Sequence, residues 1–251
     1  MDESIAVRIH NRLDETDLRR NSTLQSLSSI QPHLEQLVAE QDRIETIVDL
    51  GCGTGAFVSA LGQELEADDI HGVEINESYG EIAADRGVKL HNLDLDSEPL
   101  PFDDGEVDVV LAFGLLEHLR WYDHVLTESN RVLRDGGTLW VTVPNLGSYV
   151  NRVALLFGYQ PRNIELSDRG AAGILPMYPH EEPLGHVHAP TRRALVELVE
   201  DTGFRVASTV SVSPYQDRRT VRILDSLFGW HPSLARRIAL LAHREDGVRS
   251  H

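Results

Sequence analysis

The chain has almost no lysine. Of its 23 basic residues only Lys89 is a lysine, so 22 are arginines, and 40 acids bring the formal charge to −17. No basic patch or interleaved aromatics oppose that field, which argues against nucleic acid as a partner. Cysteine is scarce as well: Cys52 stands alone. It has no partner for an internal disulfide, which fits a reducing cytoplasm. Long apolar runs are missing; none reaches the ~20 residues that span a bilayer. The N-terminus lacks a signal-peptide core. These absences lead us to expect a cytoplasmic chain with no membrane insertion. Acid excess with so little lysine reads as adaptation to high intracellular salt, where the Debye length is only ~3 Å and the charge is locally screened. The alternative is an ordinary acidic protein from a GC-rich genome.

What is present is a regular alternation. At 251 residues the chain makes one domain, able to bury roughly 70–75% of its unfolded surface without staples. Residues 1–43 are polar, with apolar positions at Leu24, Leu27, Ile30, Leu34, Leu37 and Val38 close to helical spacing. Pro32 marks a break or a new helix start. This N-terminal segment packs beside a ligand pocket, supplies substrate contacts, or both. The region 44–251 then reads as strands Ile44–Leu50, Ile70–Ile75, Val88–His91, Val107–Ala112 and Thr138–Val143, with helices over Ala56–Glu66, Glu77–Asp85 and Tyr122–Leu133. Such alternation predicts an α/β fold with a doubly wound, mostly parallel sheet and helices on both faces. Residues 145–189, rich in proline and glycine, interrupt it and read as an inserted lid or binding loop. A helix over Thr191–Asp201, a strand over Phe204–Val212, a helix over Asp217–Phe228 and a strand over Ile238–His243 complete the chain.

The most informative stretch is Val48-Asp49-Leu50-Gly51-Cys52-Gly53-Thr54-Gly55. It places a tight glycine turn between a strand and a helix, which sets a ligand against backbone at the carboxyl end of a sheet. Gly51, Gly53 and Ala56 also satisfy the dinucleotide spacing. A pyrophosphate, however, would meet Asp49 two residues before the first glycine, with no Lys or Arg between Arg43 and Arg86. S-adenosylmethionine carries a sulfonium and an ammonium and no phosphate, so a carboxylate beside the turn suits it. Gly51, Gly53 and Gly55 let backbone approach where a Cβ would clash. Glu74 ends the second apolar run 23 positions after Gly51, where a carboxylate can accept both ribose hydroxyls.

Together these residues resemble the class I S-adenosylmethionine-dependent methyltransferases, of the type 11/23 kind, over roughly Ile44–Phe204. Val48–Gly55 looks like that family's first motif and Glu74 its ribose-binding acid. Leu100-Pro101-Phe102-Asp103-Asp104-Gly105-Glu106-Val107-Asp108 looks like its Leu-Pro-Phe-x-Asp-x-x-Phe-Asp stretch, with Val107 in place of Phe. Leu116-Glu117-His118-Leu119, Asp135-Gly136-Gly137-Thr138-Leu139, His186-Val187-His188 and Thr202-Gly203-Phe204 match later landmarks. The resemblance implies a seven-stranded Rossmann-like sheet closed by an antiparallel hairpin, S-adenosylmethionine as cofactor and methyl transfer as activity. The composition looks like that of a haloarchaeal protein.

Methyl transfer needs donor and acceptor aligned, and a base where the acceptor is a poor nucleophile. Asp94, with Leu95 beside it, is the candidate adenine contact; Asp96 is a rival. Phe113 is placed to line the methionine arm. Glu117 and His118 begin a segment at the mouth of the site: His118 reads as a general base or acceptor ligand, or both read as braces of the following turn. His186, in the Gly-His-Val position that the resemblance places over the substrate pocket, is the first candidate for base and His118 the second. His188 sits where relatives carry Arg. His180 joins these histidines, but their spacing fits no zinc pattern, and we expect no metal. In ubiquinone-type O-methyltransferases another acid precedes the glutamate by three residues; here that position is Gly114. Tyr149, Arg152, Tyr159 and Arg162 read as contacts for an anionic acceptor such as a uronic acid, or as surface salt-bridging groups. The expected function is O-methylation of a small molecule or a glycan sugar. The alternatives are N- or C-methylation, including quinone biosynthesis, and a catalytically silent partner protein.

Overall fold

A computed structural model describes residues 3–13, 26–40, 43–170, 172–176, 185–212 and 219–245. His180, Leu24 and the start of the helix expected over Asp217–Phe228 lie outside these residues. Helices α1 (Ile5–Arg12) and α2 (Gln31–Glu40) precede β1 (Thr46–Leu50), α3 (Ala56–Glu64), β2 (Asp69–Val73), α4 (Glu77–Asp85) and β3 (Lys89–His91). Next come β4 (Val107–Phe113), a 3-10 turn (Leu116–His118), α5 (Tyr122–Val132), β5 (Leu133–Pro144), α6 (Tyr149–Leu156), α7 (Arg192–Asp201), β6 (Phe204–Val212), α8 (Arg219–Phe228) and β7 (Arg237–Arg244).

The seven strands form one sheet in the order β3-β2-β1-β4-β5-β7-β6. All neighbours are parallel except β7, which runs antiparallel to both β5 and β6. The strand order reverses between β1 and β4, and the carboxyl ends of these two strands open the crevice where such sheets bind ligands. Alternation along β1 explains why both faces are covered. Val48 and Leu50 enter one apolar cluster with Val110, Leu133 and Leu240, while Ile47 enters a second with Val109, Leu111 and Trp140. Ile9, Leu27, Ile30, Leu34 and Leu37 join the second cluster, so the N-terminal helices share the core of the sheet. Residues 26–29 are helical, Ile30 is a turn, and α2 restarts at Gln31. Pro32 therefore marks a new helix start, where its missing N–H costs nothing.

Three expectations need correction. Residues 145–189 are not wholly irregular, because Ser148 caps a regular helix, α6, by accepting from the Asn151 amide. The Asp135–Gly137 turn is a bulge inside a longer β5: Leu133 pairs with Val107, and pairing resumes at Thr138 with Val109. The second strand stops at Val73, so Ile75 is exposed rather than a strand residue.

Candidate functional site

The glycine turn sits at the crevice, and its three glycines have different reasons to be glycine. All three have positive φ. A Cβ on Gly55 would stand 2.9 Å from Cβ of Ala83 and 3.0 Å from Cγ2 of Val88, so this glycine lets α3 approach α4. A Cβ on Gly53 would meet nothing within 4 Å. Gly53 thus borders open space, as a backbone that receives a ligand must. Asp49 beneath the turn is buried, and its Oδ1 has no hydrogen-bond partner among the described residues. Burial first, and then the Glu74 charge, push its carboxyl up to about 8. An orphaned buried acceptor of this kind suits a cationic ligand group.

Glu74 joins the two loops at the crevice. Its Oε2 accepts from the Gly53 amide at 2.9 Å and its Oε1 from the Asn76 amide at 2.8 Å. Each oxygen keeps a second lone pair for a hydroxyl donor. Asp94 is exposed and accepts from the Asp96 amide and the Ser97 hydroxyl, which shapes its own turn. Asp96 accepts from the Arg120 amide at 2.8 Å and ties this loop to the end of the 3-10 turn. Leu95, between these two acids, packs into the apolar cluster with Val48, Leu50 and Val73, as burial favours for an apolar residue in an otherwise polar loop.

Beside the crevice lies a cavity of about 530 Å³. One wall is apolar: Leu27, Ile30, Phe57, Phe113 and Val212. Phe113 packs on Phe57 with ring centroids 5.0 Å apart and on Trp140 at 4.9 Å. The other wall is polar: Glu117, His118, Thr142, Asn163, His186 and Arg237. The N-terminal segment and the 145–189 insertion therefore both contribute to it.

Positive φ at Gly114 turns the chain off β4 and starts the 3-10 turn. This turn delivers Glu117, 1% exposed, and His118, which is exposed. Burial pushes the Glu117 carboxyl up, and the Arg237 guanidinium opposes that shift. Nη2 of Arg237 donates to Oε1 of Glu117 at 3.1 Å, while Oε2 has no partner among the described residues. A Cβ at position 114 would come within 3.2 Å of Nη2, so glycine there leaves room for the arginine. Arg237 had no signal in the sequence. It reads as the polar start of an edge-ward strand, and only its pairing opposite Pro144 and Val212 brings it to the site.

The two candidate histidines differ. Nδ1 of His118 lies 3.2 Å from the Gly185 carbonyl, which can only accept, so Nδ1 carries the proton and Nε2 is the free acceptor. His186 is buried, receives the Asn163 amide nitrogen at its Nδ1 at 3.4 Å, and has Nε2 4.0 Å from Oε1 of Glu117. The two rings meet edge to face at 4.9 Å. Backbone bonds from Val187 and His188 to the Glu117 carbonyl fix the insertion to the 3-10 turn. His188 donates from Nε2 to the Arg120 carbonyl and stacks on Trp121, a bracing role. Glu117, His118 and His186 present one ligand atom each within 4.8 Å of one another. The carboxylate of that trio is already paired with Arg237. Of the residues read as anionic-acceptor contacts, Tyr149 donates to Asp225 and Arg152 to the Gly147 carbonyl.

A model of a family described as a methyltransferase domain matches residues 22–209. The chain belongs to this family, the class I S-adenosylmethionine-dependent methyltransferases, and S-adenosylmethionine is its cofactor. A curated relative, demethylmenaquinone methyltransferase of Staphylococcus aureus, is 31% identical over 120 residues, which is 45% of this chain and 49% of that protein. The match thus spans about half the length of the curated relatives. Among solved structures, a methyltransferase from Mesorhizobium loti has TM-score 0.59 at 17% identity, covering 86% of this chain and 98% of its own. Magnesium protoporphyrin IX methyltransferase from Synechocystis PCC 6803, with bound SAH, has TM-score 0.59 at 14% identity, covering 96% and 93%. At these identities the solved structures speak for the fold. Among the described residues no helix is long and apolar enough to cross a membrane.

Proposed function

We propose that this methyltransferase acts on an oxygen of a small molecule with an apolar, ring-like body and a polar edge. The carrying observation is the two-sided cavity, with Phe57, Phe113 and Ile30 facing a wall of His118, Asn163 and Arg237. Asp49, Gly51, Gly53, Gly55, Glu74, Asp94 and Phe113 hold the cofactor in this reading. Gly53 offers backbone, Glu74 its remaining lone pairs, and Asp49 its orphaned oxygen. When bound, S-adenosylmethionine supplies a methyl group already activated by a sulfonium. His118 takes the acceptor proton at Nε2, the nitrogen that the Gly185 carbonyl leaves unprotonated. His186 orients the insertion and closes the cavity, with Glu117 and Arg237 behind it. The order of the two histidines is thus reversed from that read in the sequence. The insertion 145–189 serves as the acceptor-side lid of a single methyltransferase domain.

A sugar or uronic-acid acceptor has less support. Arg152 does not line the cavity, and the one arginine that does among the described residues, Arg237, faces Glu117. A second reading, C-methylation of a quinone-type ring, is favoured by the apolar wall and by the name of the Staphylococcus relative. Calorimetry with S-adenosylmethionine, NAD and NADP tests the cofactor pocket. A labelled-methyl screen of phenols, hydroquinones and uronic acids then tests the acceptor. Turnover of uronic acids alone would overturn the ring-like acceptor, and binding without turnover of any acceptor by the folded chain would favour a silent partner. The acid excess is read as adaptation to high salt, and thermal stability that rises with KCl into the molar range is the expected result.

A further inference from the structure

The first turn of α6 packs against α8. The rings of Tyr149 and Phe228 are 5.4 Å apart, Tyr149 donates to Asp225 at 2.9 Å, and Leu224 packs on Tyr149 and Val150. Their inner faces are therefore satisfied. Their outer faces are unusual, because a surface helix normally turns polar residues to water. Here Leu155, Leu156 and Phe157 end α6 in the open, and Ile223, Leu227 and Trp230 do so along and just beyond α8. Leu156 is 78% exposed and Trp230 73%. Among the described residues, ten of the sixteen large exposed apolar side chains fall within 153–166 and 223–230. Concentration of this kind marks an interaction surface.

The charge balance of the same stretches is reversed. Segments 149–170 and 219–230 hold five arginines against three carboxylates, in a chain whose balance is −17. Elsewhere Arg8, Arg43, Arg131 and Arg193 find carboxylates. Arg152 and Arg222 are exposed and face no carboxylate among the described residues. We propose that the outer faces of α6 and α8 dock the enzyme on an anionic lipid surface, with Leu156, Leu227 and Trp230 entering the headgroup boundary and Arg152 and Arg222 meeting lipid phosphates. Tryptophan and leucine flanked by arginine are the side chains that partition there, the arginine stems lying along apolar surface. A second copy of the chain fits less well, because a two-fold contact through this patch sets arginine against arginine. This surface is independent of the acceptor cavity, so the proposal stands apart from the reading of the acceptor.

Co-sedimentation with vesicles of phosphatidylcholine containing phosphatidylglycerol, against phosphatidylcholine alone, tests it. The assay is run at the lowest KCl concentration at which circular dichroism shows the native fold. The full chain should pellet with the anionic vesicles and blue-shift its tryptophan emission, and Trp230→Phe should remove that shift. Arg152→Ser with Arg222→Ser should lower the partition coefficient roughly thirtyfold on anionic vesicles and little on neutral ones. Leu156→Asp should weaken binding to both, and all variants should bind S-adenosylmethionine as the parent does. Absence of binding by the folded chain, or binding unchanged in the variants, overturns the proposal. So does a concentration-dependent dimer that Leu156→Asp makes monomeric, which assigns the face to a second copy. Arginine-dependent binding to DNA that Leu156→Asp leaves intact also overturns it.

Discussion

Nη2 of Arg237, at the start of β7, donates to Oε1 of Glu117 in the turn after β4, across 3.1 Å. The pair ties the antiparallel end of the sheet to the cavity wall. Glu117 is buried, while Arg237 keeps part of its surface in water, so solvent screens some of the attraction. Removing the arginine strands a buried carboxylate whose other oxygen already lacks a partner. Arg237→Leu should cost about 1–3 kcal/mol in urea unfolding. The double variant with Glu117→Gln should cost less than the sum of the singles, and strict additivity would show that the two are not coupled.

Nδ1 of His118 is held by a backbone carbonyl, whereas both ring nitrogens of His186 face protein groups. His118→Ala should therefore lower kcat about 10²–10⁴-fold with cofactor affinity unchanged. His186→Ala should lower it less and should reduce thermal stability, because it removes a buried ring between Asn163 and Glu117. The reverse order of kcat losses, measured at saturating cofactor, would restore His186 as the base.

Local sequence pointed to the proposed cofactor half of the site, since Val48–Gly55 and Glu74 are short motifs at the ends of two adjacent strands. Strand alternation likewise disclosed the parallel part of the sheet. The acceptor half was less legible because it is assembled from far-apart pieces: residues 26–30, the 3-10 turn, Asn163, His186 and Arg237. Which nitrogen of a histidine is free depends on a carbonyl 67 residues away, and no spacing rule carries that.

Gly53 and Gly55 have left-handed φ of 54° and 69° but opposite surroundings. Gly53→Ala should raise the Kd for S-adenosylmethionine more than tenfold, with a stability cost of only about 1 kcal/mol. Gly55→Ala should instead unfold the chain at lower temperature, because its Cβ collides with Ala83 and Val88. Calorimetric Kd and Tm measured on both variants separate the two roles; equal Kd values would remove Gly53 from the ligand face.

Asp49 holds its proton up to about pH 8, through burial and the neighbouring Glu74. A cationic ligand group favours the carboxylate, so binding below that pH must release a proton. Cofactor affinity should rise between pH 6 and 7.5 by up to about tenfold per unit. Calorimetry in buffers of different ionisation enthalpy should detect the released proton. Asp49→Asn should bind more weakly and lose both the slope and the proton; a slope that persists in this variant would assign the proton elsewhere.

His33 is fully buried against Trp140, ring centroids 5.8 Å apart, with no hydrogen-bond partner at either nitrogen among the described residues. Burial lowers its pKa from 6.5 to about 4. Between those values the unfolded chain binds a proton that the folded chain refuses, so stability falls as pH drops from 6.5 toward 4 and levels off below. The full penalty is about 3 kcal/mol. His33→Leu fills nearly the same volume without a titratable group. It should therefore match the parent near pH 7.5 within about 1.5 kcal/mol and exceed it by a widening margin at pH 5. Urea unfolding at both pH values checks this. Parallel losses in parent and variant would mean that the acid sensitivity resides in other groups.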